Sequence, residues 1–340
     1  MGMKMNQASQ ENLKIFALNS NRPLAEEVTG EMGLELGAAD ITRFQDGEIR
    51  INVEESIRGK DVYLIQSTND PGNDNIMELL IMIDAIKRAS ARTINAIIPY
   101  YGYARQDRKP GPRQAITAKV LANMLTLAGA DRVVAMELHS PQIQGFFDIP
   151  VDHLSATALM ANHLIDRGYT AGETVVVSPD HAGVSRAREM AELLDCPLAI
   201  IDKRTTEETL GEDVRVVGEV EGCNCILFDD IMDTAKTVAR ASAMLKEAGA
   251  QKVYVCATHP VLSGKAVERI DQSGIEKAIV ANTIDIGDKA SCLRIEVVSV
   301  APILADAIKR IQGKQSIKPL FDKSYLRNLE AGHLQDSEAE

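Results

Sequence analysis

The stretch that decides the reading of this chain is residues 226–237, ILFDDIMDTAKT. The apolar run 225–228 reads as a buried strand, and it leads into two adjacent carboxylates, Asp229 and Asp230. A third acid, Asp233, is followed by Thr234, Ala235, Lys236 and Thr237, which open the amphipathic segment 238–248. A strand, a tight loop and a helix start follow from this pattern. That order places 233–237 where unpaired backbone N–H groups can hold an anion. Acids for hydroxyls and amides for phosphate suit a phosphorylated sugar. A helix cap after a core strand explains the same residues without a ligand.

The alternation extends in both directions. Residues 13–17, 61–66, 93–99 and 132–137 read as short strands, with helices over 75–88 and 117–128. A second series begins near Ser155, with helices over 155–167 and 185–194 and strands over 174–178, 198–202, 225–228 and 253–258. Apolar runs at 278–280 and 293–298 and a closing helix at 301–311 complete it. Short apolar runs alternating with amphipathic helices indicate an α/β fold with mainly parallel sheets. The expected division is an N-terminal domain at 13–153, a C-terminal domain at 154–305 carrying the phosphate loop, a closing segment at 306–322 and a flexible tail at 323–340.

The chain has 340 residues, enough for two cores, and a hydrophobic fraction of 45%. No stretch approaches the 18 or more apolar residues of a membrane span, and the N-terminus lacks the apolar core of a signal peptide, so cytoplasmic residence without membrane attachment is expected. A formal charge of -12 excludes nonspecific nucleic-acid binding, which relies on Lys and Arg against phosphates. The five cysteines (196, 223, 225, 256 and 292) form no paired CxxC motif and read as reduced thiols.

Against the acidic background, basic residues cluster at 105–113. Arg105, Gln106, Asp107, Arg108 and Lys109 follow PYYGYA and precede the breaker PGPR. Arginine makes bidentate phosphate contacts and stacks on purines, so a nucleotide loop and a charged surface loop compete here. Phe44, Asp46 and Glu48 alternate around Gly47; in extended backbone they would share a face, as an aromatic platform with two acceptors for adenine. A turn at Asp46-Gly47 explains the same letters. His139 and Asp180 each follow an apolar run and are candidate ligands, direct or through water, to a hard cation carrying ATP phosphates. Lys203 and Arg204 end another run, and the stretch 204–221 then holds six acids against two basic residues.

Together these segments resemble the ribose-phosphate pyrophosphokinases. The resemblance is carried by TRFQDGE at 42–48, DVYLIQST at 61–68, IMELLIMIDAIKRASA at 76–91 and IPYYGYARQDRK at 98–109. It continues with ELHSPQIQGFFDIPVDHL at 137–154, VSPDHAG at 177–183, LFDDIMDTAKT at 227–237 and CATHPVLSGKAVERI at 256–270. It implies two tandem type I phosphoribosyltransferase-like domains, a homo-oligomer that is commonly a hexamer, and Mg2+ as cofactor. The implied reaction transfers the pyrophosphoryl group of ATP to the anomeric hydroxyl of ribose 5-phosphate, releasing AMP. Phe44, Asp46 and Glu48 then fall on an adenine hairpin that reaches a neighbouring subunit, and Arg105 and Gln106 on nucleotide-binding positions. His139 and Asp180 match magnesium-associated positions. Asp229 and Asp230 match the pair at the ribose hydroxyls, Asp233, Thr234, Ala235, Lys236 and Thr237 the 5-phosphate loop, and Lys203 the catalytic lysine.

The chain departs from that pattern at Thr205, where a second arginine is usual, at Lys236, where glycine is usual, and at Ala182 of a glycine pair. A lysine in a loop built for glycine is expected to crowd it. Two readings follow: an active synthetase, or a catalytically weak nucleotide-binding homologue that assembles with or regulates an active paralogue.

Overall fold

The computed structural model describes residues 10–170, 172–204, 213–322 and 324. Two compact units are present, one drawn from 1–155, 283–285 and 299–340, the other from 156–282 and 286–298. In the first, β1 (Leu13–Ala17) is followed by α1 (Arg22–Met32) and a hairpin of β2 (Ala39–Arg43) and β3 (Ile49–Val53). Then come β4 (Asp61–Ile65), α2 (Gly72–Arg88), β5 (Thr93–Ile98), α3 (Thr117–Ala128), β6 (Arg132–Met136) and β7 (Val151–Leu154). The sheet order is β1-β4-β5-β6-β7, all parallel. Every residue of β4 is buried, as expected for a central parallel strand covered on both faces.

Local chemistry sets the ends of α1. The Asn21 side chain accepts the Leu24 N–H and a proline occupies the first turn, while Gly33 closes the helix at φ 64°. The helix Ala301–Gln312 packs against α1 in this same unit. It therefore corrects the expected boundary at 305/306, which cuts through one continuous helix, and the assignment of 301–305 to the second domain. An amphipathic helix carries an apolar face but no label for the core it covers.

The second unit contains α4 (Thr157–Asp166), β8 (Thr174–Ser178), α5 (Val184–Leu194), β9 (Leu198–Arg204), β10 (Asp213–Val217) and β11 (Asn224–Met232). It continues with α6 (Lys236–Glu247), β12 (Lys252–Pro260), α7 (Ala266–Gln272), β13 (Lys277–Ala281) and β14 (Ile295–Val298). Its sheet runs β10-β9-β8-β11-β12-β13-β14, parallel except for β10, which pairs antiparallel with β9. Helix α5 lies on β8, β9 and β11, and α6 on β11 and β12. Val238, Ala241, Ser242 and Leu245 form the buried stripe of α6, with the i, i+3, i+4, i+7 spacing of an amphipathic helix. All five cysteines are free thiols.

Leu245 is wholly buried in the second unit's core and anchors the helix whose first turn closes the phosphate loop. Leu245→Ala is expected to cost about 2–5 kcal/mol, read as a lower urea midpoint for this unit.

Candidate active site

Asp229 and Asp230 do not lie beyond the strand, as the apolar run at 225–228 suggests. Strand β11 continues through both acids to Met232, and Asp229 is in register with Ala257 of β12. Asp229 is half-buried and Asp230 is 2% exposed. Arg186, in the first turn of α5, places Nη1 3.0 Å from Asp229 Oδ1 and 3.1 Å from Asp230 Oδ1. Asp229 Oδ1 also accepts the Asp230 N–H at 2.9 Å. Burial, and then the Asp230 charge, push the Asp229 carboxyl up to about 7, with Arg186 pulling the other way.

The loop after the adjacent strand β8 closes on the same spot. Ser178 Oγ donates to the Asp180 carbonyl at 2.6 Å, and Asp180 Oδ1 accepts the Gly183 N–H at 3.0 Å. A Cβ on Gly183 would stand 3.1 Å from Ser178 Oγ, 3.7 Å from Asp180 Oδ1 and 3.9 Å from Asp229 Oδ1. A side chain at 183 would require the Ser178 hydroxyl to shift by a few tenths of an ångström, whereas Ala182 is exposed. His181 Nε2 lies 2.6 Å from Asp202 Oδ1 on β9. Lys203 follows on that strand; its side chain, and residues 205–212 with Thr205 and the first part of the acidic stretch, lie outside the described residues.

Beyond β11, the phosphate loop is tied to the segment after β12. Ser263 donates its hydroxyl to Asp233 Oδ1 and its N–H to the Asp233 carbonyl, and Arg269 Nη1 donates to the Thr234 carbonyl at 2.7 Å. Ala235 is the left-handed residue, at φ 57°, and α6 starts at Lys236 with no capping side chain. Its first N–H groups have no intrahelical acceptor and face outward as donors for an anion. Lys236 corrects the expectation of crowding, because it has helical backbone and is exposed. With Thr237, Arg240, Pro179 and Ile201 it lines a cavity of about 140 Å³.

In the first unit, Arg105 and Gln106 are exposed in the loop after β5. That loop is fastened by Gln106 N–H to the Tyr103 carbonyl at 2.8 Å, Ala118 N–H to the Gln106 carbonyl at 3.2 Å, and Thr117 Oγ1 to Gln106 Oε1 at 2.5 Å. His139 is half-buried after β6, the neighbouring strand. His153 Nε2 accepts the N–H of Leu138, one residue before it, at 2.8 Å, and burial pushes His153 down in pKa toward its neutral form. The hairpin residues Phe44, Asp46 and Glu48 occupy the turn joining β2 and β3, not an extended face. Gly47 has φ 93°, Asp46 Oδ1 accepts the Glu48 N–H at 3.1 Å, and all three side chains are exposed, Phe44 at 52%. Turn chemistry overrides the alternation here.

Arg186, Ser178, His153, Ser263 and Arg269 escape a sequence reading. For Arg186 one signal exists: a cation in a helix's first turn opposes the macrodipole, so something anionic must face it.

Parallel sheets with an acid pair at one strand end and an open helix start next to it define a phosphoribosyltransferase-like α/β protein. The model of the N-terminal domain of ribose phosphate pyrophosphokinase matches residues 13–129, and that of the phosphoribosyl synthetase-associated domain matches 211–322. "Ribose-phosphate pyrophosphokinase 2" of Enterococcus faecalis is 56% identical over 91% of this chain and 96% of its own. "Ribose-phosphate pyrophosphokinase" of Bacillus subtilis is 54% identical over 93% of this chain and 99% of its own. The crystal structure of phosphoribosylpyrophosphate synthetase from Mycobacterium smegmatis superposes with a TM-score of 0.85 at 42% identity, covering 89% of this chain and 99% of that one. The chain belongs to the ribose-phosphate pyrophosphokinase family.

The raised Asp229 pKa has a stability consequence. Between the ordinary value of 3.8 and about 7 the folded state binds more protons than the unfolded state. The contribution is fully present below 3.8 and is lost as pH rises through about 7. Thermal denaturation is expected to show Tm declining from about pH 5 to about pH 7.5, with Asp229→Asn flattening that slope. An unchanged slope in the variant rejects the assignment.

Proposed function

We propose that this protein is a ribose-phosphate diphosphokinase that transfers the pyrophosphoryl group of ATP to the C1 hydroxyl of ribose 5-phosphate, giving 5-phosphoribosyl 1-pyrophosphate and AMP. The observation that carries this is the buried acid pair beside an uncapped helix start, in a chain 54–56% identical to enzymes of that name.

Asp229 and Asp230 accept hydrogen bonds from the pentose hydroxyls, and the amides of Asp233, Thr234, Ala235, Lys236 and Thr237 take the 5-phosphate. Phe44 stacks on adenine while Asp46 and Glu48 accept from it; Arg105 and Gln106 hold the nucleotide. The hydroxyl attacks the β-phosphorus in line, so positioning and charge neutralisation carry the catalysis. Lys203 neutralises the phosphoryl oxygens as charge develops.

His139 and Asp180 are the residues that would hold Mg2+. No cluster of three metal-binding side chains occurs among the described residues. A carboxylate such as Asp180, outside any closed protein cage, suits an ion bound largely through substrate phosphates and water. When bound, the ion withdraws charge from the phosphates and makes AMP a better leaving group.

The domains serving these roles are the N-terminal unit for nucleotide and the C-terminal unit for sugar phosphate. A homo-oligomer, a hexamer in this proposal, supplies the hairpin at 44–48 to a neighbouring subunit, and the cytoplasm is the compartment proposed. No helix among the described residues is long and apolar enough to cross a membrane. The weakly catalytic, regulatory reading draws on Thr205 and Lys236. Lys236 no longer favours it, since its backbone is helical and its side chain exposed.

Purified protein with MgATP and ribose 5-phosphate is expected to release AMP in a sugar-dependent reaction, with Lys203→Ala lowering kcat about 10²–10³-fold. Absence of sugar-dependent AMP release under varied magnesium and phosphate rejects the assignment. Lys236→Gly is expected to raise the ribose 5-phosphate KM about 2- to 10-fold by removing a cation beside the phosphate and loosening the first turn of α6. A lower KM would mean that the lysine obstructs the loop.

A further inference from the structure

Arg186 has no role in the reaction as described so far, yet its placement is costly unless the acid pair matters. Its side chain is 16% exposed, against 28% for Asp229 and 3% for Asp230. Asp229 is thus the most solvent-open of the three groups, Asp230 the least, and the guanidinium lies between them in exposure. Burying three charged groups carries a desolvation penalty that mutual attraction seldom exceeds, and apolar residues of similar size commonly serve stability as well or better. Arg186 also stands in the first turn of α5, where the helix dipole opposes a cation. Desolvation and the helix dipole both disfavour a cation at this position, and its contact with the two carboxylates opposes both effects.

What the contact does is geometric. One nitrogen, Nη1, reaches the Oδ1 atoms of both acids at 3.0 and 3.1 Å. Consecutive residues of a strand point to opposite faces, so Asp229 and Asp230 would diverge by default. The shared nitrogen holds both Oδ1 atoms near one point and so restrains the separation of the two carboxylates. The Asp230 N–H to Asp229 Oδ1 bond at 2.9 Å adds a second restraint on the outer acid. Two acceptors held side by side match two neighbouring sugar hydroxyls. The base of the clamp is stiff: Arg186 is flanked in α5 by the buried Ala187, and the helix packs on β8 and β11, the strands that deliver Asp180 and the acids.

We propose that Arg186 is a positioning residue for the pentose, clamping Asp229 and Asp230 through one shared nitrogen so that the pair reads the hydroxyls of the bound sugar phosphate. The proposal rests on the pentose assignment made above. It concerns discrimination among sugars and leaves the nucleotide half of the site untouched.

The test measures AMP release at saturating MgATP with ribose 5-phosphate and with 2-deoxyribose 5-phosphate, for wild type, Arg186→Gln and Arg186→Lys. In Arg186→Gln the ribose 5-phosphate KM is expected to rise about 10- to 100-fold while the ATP KM stays within about 2-fold, and the preference for ribose over deoxyribose is expected to shrink at least about 10-fold. Arg186→Lys, which keeps the charge but not the planar fork, is expected to fall between wild type and Gln on both measures. A generally loosened protein would lose both KM values together and keep its sugar preference; that outcome, or an unchanged preference in a folded variant, overturns the proposal. Should Arg186→Gln fail to fold, the narrowing in Arg186→Lys decides alone. Should wild type release no AMP, the reaction assignment fails, and calorimetric titration of both sugar phosphates into wild type and Arg186→Lys still decides the clamp.

Discussion

Two neighbouring carboxylates in a half-buried strand repel each other and resent the loss of water, and everything at the second unit's site is arranged around that difficulty. Asp229 and Asp230 are tolerable because Arg186 stands within 3.1 Å of both, because the Asp230 amide donates to Asp229, and because the outer acid keeps some contact with solvent. Neighbouring features follow from the same crowding. Gly183 has no side chain because a Cβ there would press on Ser178, and the Asp180 and Asp229 carboxylates are close behind. Helix α5 must begin where it does for its first turn to present the guanidinium. The acids are thus properties of three adjacent elements, not of β11 alone.

The phosphate side of the site solves the opposite problem, supplying positive potential without a wall of lysines. An uncapped first turn does this with backbone dipoles, provided that the loop before it turns sharply enough. The turn is made at Ala235 in a left-handed conformation that glycine would adopt more easily. Ser263 and Arg269 hold the loop from the next strand's connection, spreading the restraint over contacts distant in sequence.

Much of this was legible in the sequence, for reasons that differ by element. The central strands were readable because 62–65, 175–177 and 225–228 are continuous apolar runs, as doubly covered parallel strands require. The end of β11 was not, since acidic residues are poor strand formers and only pairing with β12 keeps the strand going through them. Helix α1 went unread: RPLAEEVTGEM has a proline start and an internal glycine, and its N-cap is recognisable only once Asn21 is seen accepting from Leu24. At 44–48 the letters allowed both an extended face and a turn at Asp46-Gly47, and the turn is what forms. Residues that touch ligand in the proposal carry their chemistry in their own side chains and stand out. The contacts of Arg186 with the acid pair and of His153 with Leu138 link residues far apart in sequence and show only in the fold.

The helix Ala301–Gln312 gives the order of assembly an unusual constraint. It completes the unit that begins at the amino terminus, packing on α1 from nearly 270 positions away, while the other unit is contained between the two. On the ribosome, chain emerges from the amino end, so the earlier body must wait, partly uncovered, until the intervening one has been synthesised and can already have condensed. Closing so long a connection is slow and leaves apolar surface open to misassociation in the interval. This late-made helix is therefore the keystone of the first-made half.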